Sequence, residues 1–217
     1  MPSPAAADDG RRGRFVVFEG IDASGKSTQV ARLAAALRQA GRSVHVTAEP
    51  TTGPVGTMIR EAFAGRVPLD DRAVAALFVA DRIDHLTNPR DGILAILDDG
   101  VDVVGDRYHL SSLAYQAGDV GMDWILRANA PSTDLLRPDV TIYLDLDPAV
   151  AMQRLRRRAE PADRFEVLER LASAHAHYAE AIALLAERDT IRTVSALGEP
   201  DEVSARVMAA VRDDLGL

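Results

Sequence analysis

The feature that most constrains this chain is a glycine-bounded loop between an apolar run and an amphipathic run. The apolar run, 15–18, contains β-branched and aromatic residues, which predicts a short buried strand. From Lys26 onward, apolar residues recur at helical spacing, which predicts a helix. Gly20 and Gly25 enclose four residues and are followed by Lys26 and Ser27. This spacing matches the phosphate-binding loop, or P-loop, in its required strand–loop–helix context.

The residue types of this loop explain how it would bind phosphate. Glycines allow backbone angles and close approaches that a Cβ would block. Inward-facing N–H groups and the positive end of the helix dipole then face the phosphate charges. Lys26 can reach the β- and γ-phosphates, and the Ser27 hydroxyl can ligate Mg²⁺. The alternative is a glycine-rich turn that binds nothing.

Composition limits the other possibilities. A length of 217 residues suits one α/β domain with at most a small lid. A net charge of −8 argues against nucleic acid or an anionic membrane as a partner. The absence of cysteine excludes disulfides and thiolate metal sites. No apolar run approaches the ~20 residues that span a bilayer, and the N-terminus lacks the apolar segment of a signal peptide. We therefore expect a cytoplasmic protein.

Strands alternate with helices along most of the chain. We predict strands at 15–18, 43–47, 101–104, 140–146 and 190–194. The helices predicted between them include 57–63, 111–116 and 122–129. The alternation indicates an α/β fold: a three-layer P-loop NTPase architecture, with a five-stranded parallel sheet and helices on both faces. We predict a disordered tail at 1–13, a single P-loop domain at 14–217 and, within it, a short lid at 154–165.

Asp106 closes one of the apolar strands. Ligands of open parallel sheets bind beyond the carboxyl ends of the strands, and an acid at this position can hold Mg²⁺ or its waters. A helix N-cap is the alternative role for the same aspartate.

A run of arginines, Arg154, Arg156, Arg157 and Arg158, lies at the end of a predicted helix in an otherwise acidic chain. A solvated helix end with cations near the negative dipole is one interpretation. The other is a lid that closes over phosphates and brings a mobile arginine to the transferred group.

Phe78 and Arg82 are four residues apart on a predicted helix and share one face. Phe78 alone is typical of a core residue. A charged neighbour on the same face weakens that interpretation, because arginine does not face a core unpaired. The five histidines show no metal-ligand spacing.

Several blocks of residues together resemble the thymidylate kinases, a family of P-loop nucleoside-monophosphate kinases. The resemblance covers the chain from Phe15 to about Leu185. The P-loop itself is widely shared. More specific are the Phe-x-x-x-Arg helix at Phe78 and the block that runs from Asp106-Arg107-Tyr108 to Ala114-Tyr115-Gln116. Further blocks are Glu49-Pro50, Ile59-Arg60, Arg137–Asp145 and Asp163–Glu166.

The resemblance implies transfer of the γ-phosphoryl group of ATP to dTMP, with Mg²⁺ as cofactor and a homodimer as the assembly. The implied ATP-binding residues are Gly20, Ile21, Asp22, Ala23, Ser24, Gly25, Lys26, Ser27 and Thr28. The implied dTMP-binding residues are Asp22, Glu49, Arg60, Phe78, Arg82, Arg107, Ser111, Ser112, Tyr115 and Gln116.

The resemblance also implies the roles of several acceptor residues. Ser112, Tyr115 and Gln116 would line the base and sugar side. Phe78 would stack on thymine and Arg82 would hydrogen-bond its carbonyl. Arg60 and Arg107 would hold the monophosphate, and Asp22 would approach the 3′-hydroxyl.

The implied catalytic residues are Lys26, Arg107, Arg158 and Arg154, and the implied metal residues are Ser27 and Asp106. The loop lacks an arginine and the lid has several, so the chain looks like the bacterial type whose catalytic arginine lies in the lid. Arg158 is the first candidate and Arg154 the second.

The chain departs from the family pattern beside the acceptor phosphate. The family usually has arginine before Glu-Pro, where this chain has Ala48, and Gly-Gly-Thr after it, where this chain has Thr51-Thr52-Gly53. Another monophosphate is therefore a possible acceptor. A deoxynucleoside kinase with Glu49 as general base is the alternative enzyme, and Arg60 and Arg107 argue against it. A nucleotide-binding switch is the non-enzymatic alternative, but the guanine-reading Asn-Lys-x-Asp motif is absent.

Overall fold

A computed structural model of the protein describes residues 12–158 and 164–216. Five strands form one sheet in the order β2-β3-β1-β4-β5, and every pairing is parallel. The strands are β1 (Phe15–Glu19), β2 (Val44–Ala48), β3 (Asp102–Asp106), β4 (Val140–Asp145) and β5 (Ile191–Ser195). The predicted α/β architecture with a five-stranded parallel sheet is confirmed.

Nine helices connect and flank these strands within the described residues. They are α1 (Lys26–Gln39), α2 (Pro54–Phe63), α3 (Asp71–Thr87), α4 (Ile93–Asp98), α5 (His109–Val120), α6 (Met122–Leu135), α7 (Pro148–Arg158), α8 (Arg164–Leu185) and α9 (Pro200–Leu215). None of these helices combines the length and apolar character that crossing a membrane requires.

The core follows the alternation of the central strand. On β1, Val16 and Phe18 belong to one apolar cluster, whereas Phe15 and Val17 belong to another. Successive side chains of a strand point to opposite faces, so both faces of the sheet are covered. This double burial explains why β1 is an apolar run rather than an alternating one.

Several helices extend beyond their predicted ends. We predicted helices at 111–116 and 122–129, whereas α5 and α6 occupy 109–120 and 122–135. Pro131 lies inside α6, where proline usually ends a helix. α2 begins at Pro54 rather than Thr57, because proline suits the first helical position.

Most of the predicted tail lies outside the described residues, but its last residue does not behave as a tail. Gly13 is buried, and its N–H donates to the carbonyl of Leu97 at 2.8 Å. Of the predicted lid, 154–158 lies in α7 and 164–165 begins α8, while 159–163 lies outside the described residues.

Candidate active site

The phosphate loop joins β1 to α1 at the carboxyl end of the sheet. Gly20 and Gly25 have positive φ values of 142° and 98°, which glycine adopts without the steric cost of a side chain. A Cβ on Gly20 would lie 2.7 Å from the carbonyl oxygen of Leu144. α1 starts with Lys26 and Ser27, so its free N–H groups and positive dipole end are available to an anion.

Lys26 is the only lysine of the sequence. Its side chain is buried, and Nζ donates to the carbonyl oxygens of Gly20 and Ile21 at 2.9 and 3.0 Å. Burial, and then the nearby charge of Arg107, lower the pKa of Lys26 to about 8. A bound phosphate would give this ammonium group an anionic partner and would favour its charged form.

Ser27 and Asp106 meet across the end of the sheet. The Ser27 hydroxyl donates to Asp106 Oδ2 at 2.6 Å, and Oδ1 of the same carboxylate is buried with no described partner. No cluster of three or more His, Cys, Asp or Glu side chains in the described ranges could hold a metal ion alone. Mg²⁺ often takes only one or two protein oxygens and completes its shell with waters and phosphates. This oxygen pair therefore fits a magnesium ion that arrives with a nucleotide.

A cavity of about 440 Å³ lies beside the phosphate loop. It brings together seven of the predicted acceptor-binding residues, which come from three stretches of the chain: the phosphate loop, α3 and the segment 107–116. These seven are Asp22, Phe78, Arg107, Ser111, Ser112, Tyr115 and Gln116. Its other lining residues include Pro50, Phe63, Asp119 and Arg170.

Two polar groups in this cavity have no partner among the described residues. The Tyr115 hydroxyl and Gln116 Oε1 are both buried without a hydrogen bond. Burial raises the pKa of Tyr115 to about 12, so its hydroxyl keeps its proton and can donate. An unmet buried polar group costs about 1–3 kcal/mol. The cavity therefore offers a hydroxyl and an amide oxygen that a polar ligand or water can hydrogen-bond.

An aromatic pair forms one wall of the cavity. The ring centroids of Phe63 and Phe78 are 5.9 Å apart, with a tilt of 44°. Phe63 is 67% exposed although it lines the cavity. No sequence pattern indicates Phe63 as a site residue, because a single aromatic at the end of a short helix has no periodicity of its own.

Arg107 connects the phosphate loop to this cavity. Its φ of 76° is unusual for a residue with a side chain. The guanidinium donates to Asp22 of the loop and to the Ser111 hydroxyl of the cavity, the latter at 3.2 Å. It also lies over the ring of Tyr115, 5.0 Å from the centroid. One cation thus faces both predicted nucleotide sites.

Glu19, which the sequence analysis did not identify, holds the segment that carries Arg107. Its carboxylate is fully buried at the end of β1. It accepts from the N–H groups of Tyr108 and Ser111 at 2.8 and 3.1 Å, and from the hydroxyls of Ser111 and Tyr178 at 2.6 and 2.9 Å. Burial raises the pKa of Glu19, against the lowering effect of the Ser111 hydrogen bond. Glu19 therefore caps α5, whose own N-cap residue supplies no side-chain bond.

Arg82 lies beneath the cavity rather than on its wall. It is 1% exposed and donates to the Glu49 carboxylate through Nε and Nη2, at 2.8 and 2.6 Å. Its remaining bonds go to the Tyr108 carbonyl, the Ser112 hydroxyl and Asn129. An arginine has five N–H donors, and all are used. A base carbonyl could be reached only by exchanging one of these bonds, so the predicted contact of Arg82 with thymine stays a prediction.

Glu49 is held as a carboxylate by Arg82 and by its contact with His85. Burial would raise its pKa, but the charge of Arg82 and the hydrogen bond with His85 outweigh burial and lower the pKa below its ordinary value. His85 Nδ1 lies 3.2 Å from Glu49 Oε1, and His85 Nε2 lies 2.6 Å from the Thr47 hydroxyl. A base with a lowered pKa and a buried ion pair is poorly suited to proton abstraction.

Arg60 lies on α2, outside the set of residues that line the cavity. Its Nη1 donates to the carbonyls of Thr51 and Pro50 at 2.6 and 3.2 Å, and its Nη2 donates to the Thr57 hydroxyl at 3.1 Å. Because Arg60 is exposed and these bonds leave donors on its outer side, the guanidinium can still receive an anion.

Of the two arginines predicted to act from the lid, the structure describes the side-chain contacts of Arg154 alone. Arg154 donates to the Ala23 carbonyl at 3.3 Å, and to the Ala196 and Gly198 carbonyls at 2.8 and 3.3 Å. It therefore joins the phosphate loop to the segment after β5. The side chain of Arg158 lies outside the described residues. The catalytic role of either arginine remains a prediction.

Comparisons with known proteins agree with this geometry. A family model described as thymidylate kinase matches residues 18–207. A thymidylate kinase of Leptospira borgpetersenii is 37% identical over 190 residues, which cover 87% of this chain and 88% of the relative. A thymidylate kinase of Deinococcus radiodurans is 36% identical over 207 residues, with coverage of 93% and 98%. A probable thymidylate kinase of Pyrococcus abyssi is 35% identical over 210 residues, with coverage of 94% and 98%.

These matches extend over both nucleotide sites, from the phosphate loop through the acceptor cavity to the helices after the predicted lid. The chain belongs to the thymidylate kinase family, the enzymes that phosphorylate dTMP to dTDP with ATP.

Proposed function

We propose how this chain carries out the reaction of its family, the transfer of the γ-phosphoryl group of ATP to dTMP to give dTDP and ADP for dTTP synthesis. The observation that supports the proposal most is the position of Arg107, whose guanidinium contacts Asp22 of the phosphate loop and Ser111 of the neighbouring cavity. The transferred group must pass between two such sites, and a cation there can stabilise its spread negative charge.

The donor side consists of the loop from Gly20 to Thr28. Its N–H groups and the Lys26 ammonium would hold the ATP phosphates, as the positive φ values of its glycines and the open N-terminus of α1 support. Ser27 and Asp106 would hold Mg²⁺, directly or through water. When bound, the ion supplies neutralising charge to the β- and γ-phosphates.

The acceptor side is the cavity beside the loop. Phe78 would stack on thymine, and the unpartnered Tyr115 hydroxyl and Gln116 Oε1 would hydrogen-bond the base and sugar. Ser111 and Ser112 line the same cavity. Because the acceptor is itself an anionic phosphate, catalysis requires positioning and charge neutralisation more than a general base.

The remaining acceptor contacts involve charged groups that are paired in the free enzyme. Arg107 and Arg60 would hold the monophosphate. Asp22, released from Arg107, would accept from the 3′-hydroxyl. Arg82 would approach the thymine carbonyl if a bond to Ser112 or Asn129 is exchanged, and Glu49 would keep Arg82 in place.

The lid and the assembly complete the proposal. Residues 154–165 would close over the phosphates and bring Arg158, or else Arg154, to the transferred group, within a single kinase domain of residues 14–217. We propose a homodimer. Met58 on α2, and Val67 and Leu69 in the loop after it, are exposed apolar side chains that such an assembly would cover.

A deoxynucleoside kinase would need Glu49 as a free base. The ion pair of Glu49 with Arg82 and its lowered pKa argue against that role. We therefore expect turnover of a monophosphate and not of a nucleoside.

An assay of ADP release tests this directly. With ATP and Mg²⁺ present, the enzyme should turn over dTMP strongly, and thymidine, CMP and AMP weakly. Omission of Mg²⁺ with a chelator should abolish turnover. If thymidine were phosphorylated and dTMP were not, the proposal would be wrong. A preference for another monophosphate would place the acceptor specificity in the loop at 48–53.

The lowered pKa of Lys26 predicts a pH dependence. Lys26 is charged below its pKa of about 8 and loses its proton as the pH rises through that value. The kcat/KM for ATP reports the free enzyme, so it should fall above about pH 8. The kcat should stay level to higher pH, because bound phosphates favour the charged amine. Initial rates between about pH 6.5 and 9.5, at saturating dTMP, measure both. A kcat/KM that stayed constant across this range would contradict the assignment.

A further inference from the structure

The loop between β2 and α2 departs from the family pattern, and Thr51 lies at its centre. The Thr51 N–H donates to Asp81 Oδ2 at 2.7 Å, and the Thr51 hydroxyl donates to Asp81 Oδ1 at 2.6 Å. Asp81, on α3, is 1% exposed. A buried carboxylate is stable only when donors meet its oxygens, and Thr51 meets one oxygen with its backbone and the other with its side chain. A glycine at this position could supply only the N–H.

The other side of Thr51 holds Arg60. The Thr51 carbonyl accepts from Arg60 Nη1 at 2.6 Å. α2 also packs very closely on this carbonyl, since a Cβ on Gly56 would lie 2.0 Å from the Thr51 oxygen. The position of the Arg60 guanidinium therefore depends on where the Thr51 peptide is held, and Asp81 holds that peptide.

Phe78 belongs to the same helix as Asp81, one turn earlier. The contact from Thr51 to Asp81 thus joins the helix that carries the aromatic wall to the helix that carries Arg60. Thr51 is not among the residues that line the acceptor cavity, so any effect of its side chain on the acceptor must pass through these neighbours.

We propose that Thr51 is a positioning residue for the acceptor phosphate: its hydroxyl, bound to the buried Asp81, fixes the peptide that holds Arg60. The inference rests on the proposed role of Arg60 as a phosphate-binding residue. It assigns to the side chain of Thr51 a function that the glycine usual in the family cannot perform.

The test compares Thr51→Val with Thr51→Ser. Valine keeps the branched shape and the N–H but loses the hydroxyl, whereas serine keeps the hydroxyl. We expect Thr51→Val to raise the KM for dTMP about tenfold, the size of one lost hydrogen bond to a charged group, and to leave the KM for ATP within about twofold. Thr51→Ser should stay near the parent enzyme in both constants.

Thymidine as a competitive inhibitor against dTMP separates positioning from general damage. It lacks the phosphate, so its inhibition constant should not change in Thr51→Val if the effect acts through Arg60. Equal losses for thymidine and dTMP, or an unchanged KM for dTMP, would overturn the inference. If Thr51→Val does not fold, Asp81→Ala removes both acceptor oxygens of the same anchor without leaving a buried charge, and the same two results are expected of it.

Arg60→Ala distinguishes the inference from the proposal on which it rests. If Arg60→Ala leaves the KM for dTMP unchanged, the phosphate-binding role of Arg60 is wrong. If Arg60→Ala raises that KM and Thr51→Val does not, only the positioning role of Thr51 is wrong. In the double variant the two effects should not add, because both act on one contact.

Discussion

Replacing Lys26 by methionine should lower kcat about a thousandfold, the effect of removing one group that stabilises transition-state charge. Methionine keeps much of the apolar stem and removes the ammonium that faces the phosphates. Among the described residues, this ammonium donates only to the carbonyls of Gly20 and Ile21, so we expect the nucleotide to be its main partner. Steady-state rates with ATP and dTMP at neutral pH measure the effect.

Thermal unfolding separates this catalytic loss from misfolding. Burial disfavours the charged form of Lys26, as its lowered pKa indicates, so Lys26→Met should fold with a melting temperature at least equal to that of the parent. Arg38→Met, which removes an exposed cation from the same helix, serves as the matched control and should keep kcat within about twofold. A loss of less than tenfold in Lys26→Met would contradict the proposed role.

Replacing Arg82 by methionine should destabilise the fold by about 3–5 kcal/mol, the cost of breaking a buried ion pair and leaving one charge uncompensated. Glu49 would then be a buried carboxylate that keeps its contact with His85 but has lost the guanidinium. Urea unfolding at neutral pH, followed by circular dichroism, measures the free energy of unfolding. The double variant Arg82→Met with Glu49→Gln removes both charges and should recover a substantial part of the loss.

The pH dependence of this variant has a definite sign. In the parent enzyme the pKa of Glu49 is lowered, so its contribution to stability is present at neutral pH and is lost as the pH falls through that lowered value. Without Arg82, burial dominates and raises the pKa of Glu49, so the carboxyl takes up a proton at higher pH. The destabilisation should therefore be larger at pH 7 than at about pH 5. A loss of less than about 1 kcal/mol at neutral pH would show that the pair does not hold the fold.

The features that were predictable from the sequence are local ones. The phosphate loop combines fixed spacing with a strand before it and a helix after it, and the buried face of α1 contains the residues that its periodicity predicts, Val30, Leu33 and Leu37. The contact of Asp106 with Ser27 also followed from topology, since carboxyl ends of parallel strands meet at one edge.

The supporting residues were not predictable in the same way. Glu19, Asp81 and Asn129 are buried polar residues whose partners are far away in the sequence, between 30 and 159 residues. No local periodicity distinguishes a buried carboxylate that caps a distant helix from an exposed one. Arg82 shows the same limit. Its position on a helix face predicted a charged partner, but it did not predict that all five N–H donors of the guanidinium would be used.

The single lysine has a practical consequence for chemical labelling of this enzyme. Apart from the α-amino group of the chain, Lys26 is the only primary amine, and all other basic side chains are arginine or histidine. Its pKa of about 8 leaves a larger nucleophilic fraction at neutral pH than an ordinary lysine has. A phosphate-bearing aldehyde would therefore attach to one side chain, at the centre of the donor site, and the degree of labelling would report directly how much of the enzyme has that site free.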